Sequence, residues 1–295
     1  MSTTWAVWNK QHKQFSCTCE RHPPQTVADS GYHFPCQQSL TCALFVILYE
    51  HPFNERIRTY LRLEYLLGRF EHLLLRSSEI DHHFALTTLF EIIDVGGRSD
   101  LKSDILKELE RHKQQFSSYR GNPSVSEAVL DELLGNIDKC LQGFNTQGAR
   151  ISQCVTESDF LSSLRNRVAV PGGTCAFDLP GYHAWQQRDP DLRRKDILKW
   201  SEPLKVLQDS VGLLMRLLRE SGSPQRVVAN QGQFQQALPQ GRFQMMRLFI
   251  DEAQGLVPEI SGNRMMVWVR LIHQNWEGKP QTAVGNAEFE IELCA

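Results

Sequence analysis

Cys175, Asp178 and His183 place a thiol, a carboxylate and an imidazole in one short segment, the groups from which covalent catalysis is built. A nucleophilic cysteine needs a general base within hydrogen-bond reach and donors for an oxyanion. TCAFDLPGYHAW reads as a strand through Phe177 that runs into a turn at Pro180-Gly181. Alternation then sets Cys175 and Phe177 on one side of the strand, which favours a packed thiol. A cysteine-dependent enzyme using Cys175 and His183 is therefore the alternative reading, not the leading one. The chain has neither common Gly-rich phosphate loop, no H-E-x-x-H, no G-x-S-x-G and no C-x-x-C. No enzyme activity, cofactor or metal is expected. His82-His83 cannot chelate one ion together, because neighbours on a helix point about 100° apart. Cys17, Cys19, His22, His33 and Cys36 suffice in number for zinc, but their spacing matches no zinc knuckle.

Isolated cations on apolar strands are better candidates. Arg270 lies beside Trp268 and Ile272, and Arg247 between Met246 and Leu248. A half-buried guanidinium needs an acidic partner. Two sources are open: Glu288, Glu290 and Glu292 on a neighbouring strand, or a carboxylate-bearing peptide from outside, which the forked geometry of arginine suits.

The element that organises the rest is a helix after the strand VILYEHP at its head. Asn54 stands at the N-cap with Glu55 in the first turn. Tyr60, Leu63, Leu67, Phe70 and Leu74 recur at steps of three and four, and Ile57, Leu61, Leu66 and Leu73 flank them. So wide an apolar arc belongs to the centre of a bundle or to a subunit interface, and the stripe from Tyr60 to Leu74 is the expected dimer surface. Arg58, Arg62 and Arg69 form the wet face.

Further helices are expected from an Asp81 cap to Gly96-Gly97, over 101–119, after a Ser124/Glu127 capping box, and through Phe160 to Val168. Two more follow at 191–199 and 202–221, with Pro203 in the first turn of the second. From Gly222 the period is two. Strands are expected near 225–228, 242–250, 264–272 and 287–293, the third of them central because both its faces are mostly apolar. The fold class is α+β: an N-terminal helical bundle, then an antiparallel β-rich domain with one or two helices. The expected divisions are an unstructured extension over 1–45, a mainly helical dimerisation domain over 46–170 whose first strand could join the sheet, and a β-rich partner-binding domain over 171–295.

With 34 acidic and 32 basic residues the formal net charge is −2, which recommends neither nucleic acid nor membrane as partner. No run of eighteen apolar residues and no secretory signal is seen, so a cytoplasmic protein with reduced thiols is expected. A valine codon can start a bacterial protein, and residues 1–45 read as an extension upstream of Val46.

ILYEHPFNERIRTYLRLE (Ile47–Glu64), DILKELERH (Asp104–His112), VAVPGGTCAFDLPGYHAW (Val168–Trp185) and VPEISGNR (Val257–Arg264) together resemble the ZapD family, also called YacF, in the same order over residues 46–295. The resemblance implies a non-enzymatic, homodimeric cell division factor at midcell. Such a factor binds the C-terminal tail of the tubulin-like GTPase FtsZ and bundles its filaments into the Z-ring. It also implies a basic tail-binding pocket in the β-rich domain. Arg98, His183 and Arg270 fall at matching positions, and Arg264 and Arg247 are basic neighbours. Met266 stands where a close relative would carry arginine, so the pocket is expected to be rearranged around Arg264 or Arg247.

Overall fold

The computed structural model describes residues 45–147, 151, 153–239, 242–263 and 265–295. Residues 1–44 of the extension, with its Cys and His ligand set, and Arg264 lie outside the described residues. Strand β1 (Val46–Pro52) leads directly into helix α1 (Glu55–Leu74), whose first turn is closed by Asn54 Oδ1 accepting from Ile57 N at 2.9 Å. The next three helices are α2 (Glu79–Gly96), α3 (Ser99–Ser117) and α4 (Glu127–Gln147). They are followed by α5 (Gln153–Thr156), α6 (Asp159–Val168), α7 (Pro180–Gln186), α8 (Pro190–Ser201) and α9 (Lys205–Glu220). The seven later strands are β2 (Pro224–Ala229), β3 (Gln233–Ala237), β4 (Met245–Asp251), β5 (Leu256–Gly262), β6 (Met266–His273), β7 (Gln281–Thr282) and β8 (Ala287–Cys294). This is the expected α+β class.

The strands form two antiparallel sheets. One has the order β1-β4-β8-β2, so the strand before the helices does join the sheet; the other is β3-β6-β5 with β7 beside β6. The alternate residues Met246, Leu248 and Ile250 of β4, Phe289, Ile291 and Leu293 of β8, and Val267, Val269 and Leu271 of β6 fill one core between the sheets. A second core lies among the helices and includes Met245 and Cys294 from one end of the first sheet. Helices α7, α8 and α9 contribute Trp185, Ile197 and Leu214 to that helical core, although a boundary at 170 would have assigned them to the β-rich half.

The five residues expected at a dimer surface are corrected by their burial. Tyr60, Leu63, Leu67, Phe70 and Leu74 all lie inside the helical core of a single chain and have almost no surface left for a second copy. Helix α1 is central, the other solution to its wide apolar arc.

Local chemistry moved several boundaries. Ser78 Oγ, not Asp81, accepts from Ile80 N and starts α2. Glu127 Oε1 accepts from Gly121 N at 2.7 Å, so it serves the turn before α4 and not a box with Ser124. The segment expected as a strand through Phe177 consists of turns ending in α7, with Pro180 in its first turn, where a missing N–H costs nothing. Gly96 lies where α2 meets α9; a Cβ there would stand 2.5 Å from Leu207 Cδ2, so the Leu207 side chain would have to shift.

Two joints hold the first sheet to the helices. Phe53 packs into the sheet core just before Asn54 caps α1, and a row of alternating charge crosses the sheet under α9. Arg219 of α9 donates through Nε and Nη2 to Glu50 of β1, both at 2.8 Å, and through Nη1 and Nη2 to Glu64 of α1, at 3.0 and 2.6 Å. Arg247, opposite Glu50 in register, is 3.3 Å from Glu50 Oε1, bonds Glu292 on its other side, and lies over the Phe249 ring. Burial pushes the neighbouring Cys294 thiol up to about 12, so it stays protonated.

Arg193 is nearly fully buried and bonds His82 Nδ1 at 3.0 Å and the Arg188 and Ser77 carbonyls at 2.9 and 2.7 Å, which ties α8 to the turn before α2.

Arg219→Met leaves Glu50 and Glu64 without their shared cation, and a loss of about 3 kcal/mol is expected, read from the urea midpoint. Arg219→Lys keeps the charge without the fork and should fall between the two. A second expectation concerns acid. Burial lowers the pKa of His51, His82, His83 and His112 below the ordinary 6.5, with Arg58 adding to it at His51 and Arg193 at His82. The unfolded chain then takes up protons first as the pH falls. Stability should be complete above about pH 6.5 and be lost as the pH drops through 6.5 towards the lowered values. A urea midpoint that stays constant from about pH 7 to pH 5 would contradict this.

Candidate functional site

The described members of the basic set lie on separate elements. Arg98 precedes α3, exposed, with Asp100 accepting from its Nη2 at 3.0 Å. His183 is exposed on α7. Arg247 lies under the helices in the first sheet, held between Glu50 and Glu292. Arg270 faces out from β6 in the second sheet, where it bonds Glu259 across the β5–β6 register, its Nε at 2.7 Å. An internal partner therefore answers both strand arginines. For Arg247 it is one of the expected acids, Glu292, joined by Glu50; for Arg270 it is Glu259, and not Glu288, Glu290 or Glu292.

Arg98 and His183 belong to the helical part. Arg165 in the last turn of α6 pairs with Asp94, which brings that turn beside the end of α2, one helical turn from Arg98. Arg167 stands 4.0 Å from Asp178, beside the turns that carry the highly exposed Phe177. A groove of about 290 Å³ opens between the first turns of α6 and α7, lined by Asp159, Phe160, Leu164, Leu179, Pro180 and Tyr182.

Stacked rings and a hydrogen bond line the walls of this groove. Tyr182 stacks on Trp185 with centroids 5.8 Å apart, Phe160 stacks on Trp200 at 5.4 Å, and Tyr182 Oη hydrogen-bonds His83 Nδ1 at 2.7 Å. Burial lowers the His83 pKa and raises that of the Tyr182 phenol, so both stay neutral near neutral pH. Sequence reasoning missed Arg165 and Arg167. The available signal was two arginines in the last turn of a short helix, just ahead of the Pro-Gly-Gly break.

The alternative thiol site is not assembled. Cys175 is exposed, its carbonyl accepts from Asp178 N and Leu179 N, and the Asp178 carboxylate faces Arg167. No hydrogen bond joins the Cys175 thiol to His183 among the described residues. Cys175 lies in the turns before α7 and His183 on α7 itself, so the alternation of a strand does not relate them. No group of three or more His, Cys, Asp or Glu side chains placed to hold a metal occurs among the described residues, and no helix there is long and apolar enough to cross a membrane.

A family model described as ZapD, cell division protein, matches residues 61–270. Proteins named Cell division protein ZapD from Ralstonia pickettii (strain 12J) and Cupriavidus pinatubonensis (strain JMP 134 / LMG 1197) are 44% identical to this chain over 250 residues, covering 84% of it and 99% of each relative. One from Janthinobacterium sp. (strain Marseille) is 45% identical over 250 residues, covering 85% of this chain and 100% of its own. A match that spans most of the chain and nearly the whole of each relative identifies this protein as a member of the ZapD family of cell division proteins.

Proposed function

We propose that the chain works as a homodimer in the cytoplasm at the division site, binds the C-terminal tail of FtsZ and bundles FtsZ filaments into the Z-ring, without catalysing a reaction. The observation that carries this reading is membership of the ZapD family. Two equivalent sites on one dimer link two filaments, and repeated contacts along a polymer compensate for weak single ones. The near-balanced charge gives no reason to invoke nucleic acid or membrane.

Arg98, His183 and Arg270 reach solvent and are the proposed contacts for tail carboxylates, with Arg264 as their sequence neighbour to Arg270. Arg247 is set aside, because two carboxylates of the chain already hold it. For the dimer, the outer side of the α1–α2 hairpin supports the reading better than the buried stripe: Tyr65, Leu75, Ile80 and Phe84 are large, apolar and exposed there. Arg69 lies 5.9 Å from the Tyr65 ring centroid and pairs with Glu91, which gives that patch a polar rim.

The purified protein should increase the FtsZ that pellets at low speed. Arg270→Glu should remove most of the increase while shifting Tm by no more than about 2 °C, as for an exposed site. Unchanged pelleting by Arg98→Glu, His183→Glu and Arg270→Glu alike would end the assignment of these contacts. Affinity for the isolated tail peptide should weaken with salt as the screening length falls from about 10 Å at 0.1 M to about 3 Å at 1 M. Phe84→Glu should convert dimer to monomer in sedimentation equilibrium. A dimer that survives this change and Tyr65→Glu is held elsewhere.

A further inference from the structure

Three orphaned polar atoms belong to residues around one small cavity. Arg56 Nη1 donates to Glu108 Oε1 and Nη2 to Gln244 Oε1, each at 2.7 Å, while its Nε is buried without a partner among the described residues. Tyr60 is 1% exposed, and its Oη is likewise unpartnered. His112 Nδ1 is the third. Arg56, Tyr60 and His112 line the same cavity, together with Glu108, Leu214 and Gln244, where α1, α3, α9 and the approach to β4 meet.

The tautomer of His112 can be assigned from its neighbour. Arg111 Nη2 lies 3.2 Å from His112 Nε2, and a guanidinium only donates, so Nε2 accepts. Burial, helped by Arg111, lowers the pKa of the ring and keeps it neutral, which leaves the proton on Nδ1. The residues lining the cavity therefore carry two unpartnered N–H donors and one unpartnered phenol, which can donate or accept. It offers about 20 Å³ to the centre of a water molecule. That is room for one water and too little for a larger ligand.

We propose that this cavity is the binding site of a single ordered water, which accepts from Arg56 Nε and His112 Nδ1 and donates to Tyr60 Oη. One water gives each of the three atoms a partner, and its second hydrogen has the Glu108 carboxylate among the lining groups. An anion could accept from the phenol O–H, but it would meet the Glu108 carboxylate among the lining groups. The water completes the polar seam that Arg56 makes between the helices and the strand approach.

The sign of one substitution tests this. Tyr60→Phe removes a hydroxyl that is hydrogen-bonded if the water is present and is an unpaid desolvation cost if it is not. The expected result is a Tm lower by about 2–4 °C; an unchanged or higher Tm overturns the proposal. In crystals of the unsubstituted protein, a density peak about 2.6–3.2 Å from all three atoms is expected. No peak, or a peak with an anomalous signal after a bromide soak, overturns it.

Discussion

The structure depends on how Arg219 is shared. Its guanidinium forks onto Glu50 of β1 and Glu64 of α1, while Glu50 also faces Arg247 and through it Glu292. One side chain of α9 thus fixes the position of the helix that precedes it by far in sequence and of the strand that opens the described fold. Three carboxylates and two guanidiniums, each at most a quarter exposed, are costly to remove from water. Burial alone would disfavour the charged form of Arg219, but the bonds to Glu50 and Glu64 outweigh it and raise its pKa. Such a network adds little net stability over apolar packing; what it adds is register. A sheet that slid by one residue against α1 and α9 would place Tyr49 or His51 opposite Arg219, and the row of alternating charge would be lost.

With the sheet anchored in this way, α1 can be central to the helical layer. It packs between α2 on one side and α9 on the other, which takes up both of its apolar stripes, and Phe53 continues the chain into the second core. The small cavity beside Tyr60 lies where this packing meets the polar seam. Large apolar side chains on the hairpin that remain outside, Tyr65 and Phe84 among them, are those which point away from both neighbours. The pattern in the sequence measured how much of α1 is buried. It did not say by what, and that distinction separates a core stripe from a subunit interface.

Elements with strong periodicity were legible, and those whose evidence is tertiary were not. Strand β1, helix α1, the Pro203 start, which is a 3-10 turn (Glu202–Leu204) leading into α9, and the alternation of β6 and β8 all follow from local rules. Strand β3, with the sequence QFQQA, has one apolar contact per face and looks like loop; it is a strand because β6 supplies its hydrogen bonds. Strand β5 carries Pro258, which reads as a break, yet β5 lies at the edge of its sheet, where a missing N–H can be tolerated. In α7 the same residue type begins a helix where Pro180-Gly181 had suggested only a turn. Whether proline ends or starts an element is decided by which neighbour needs its N–H.

The same reasoning separates the arginines. Arg247 and Arg270 look alike in sequence, each a cation among apolar strand residues, and the expectation that both need an acid holds for both. They differ in which face of which sheet they occupy. Arg247 lies on the face that the helices cover, with carboxylates on each side in register, and its charge is used by the fold. Arg270 lies on the open face of the second sheet with one exposed partner, Glu259, and an ion pair in water contributes little that a competing carboxylate could not replace. An arginine that can exchange partners is one that can recognise an acidic peptide. By that criterion the exposed pair of Arg270 is compatible with a binding role, whereas the doubly bridged Arg247 is not.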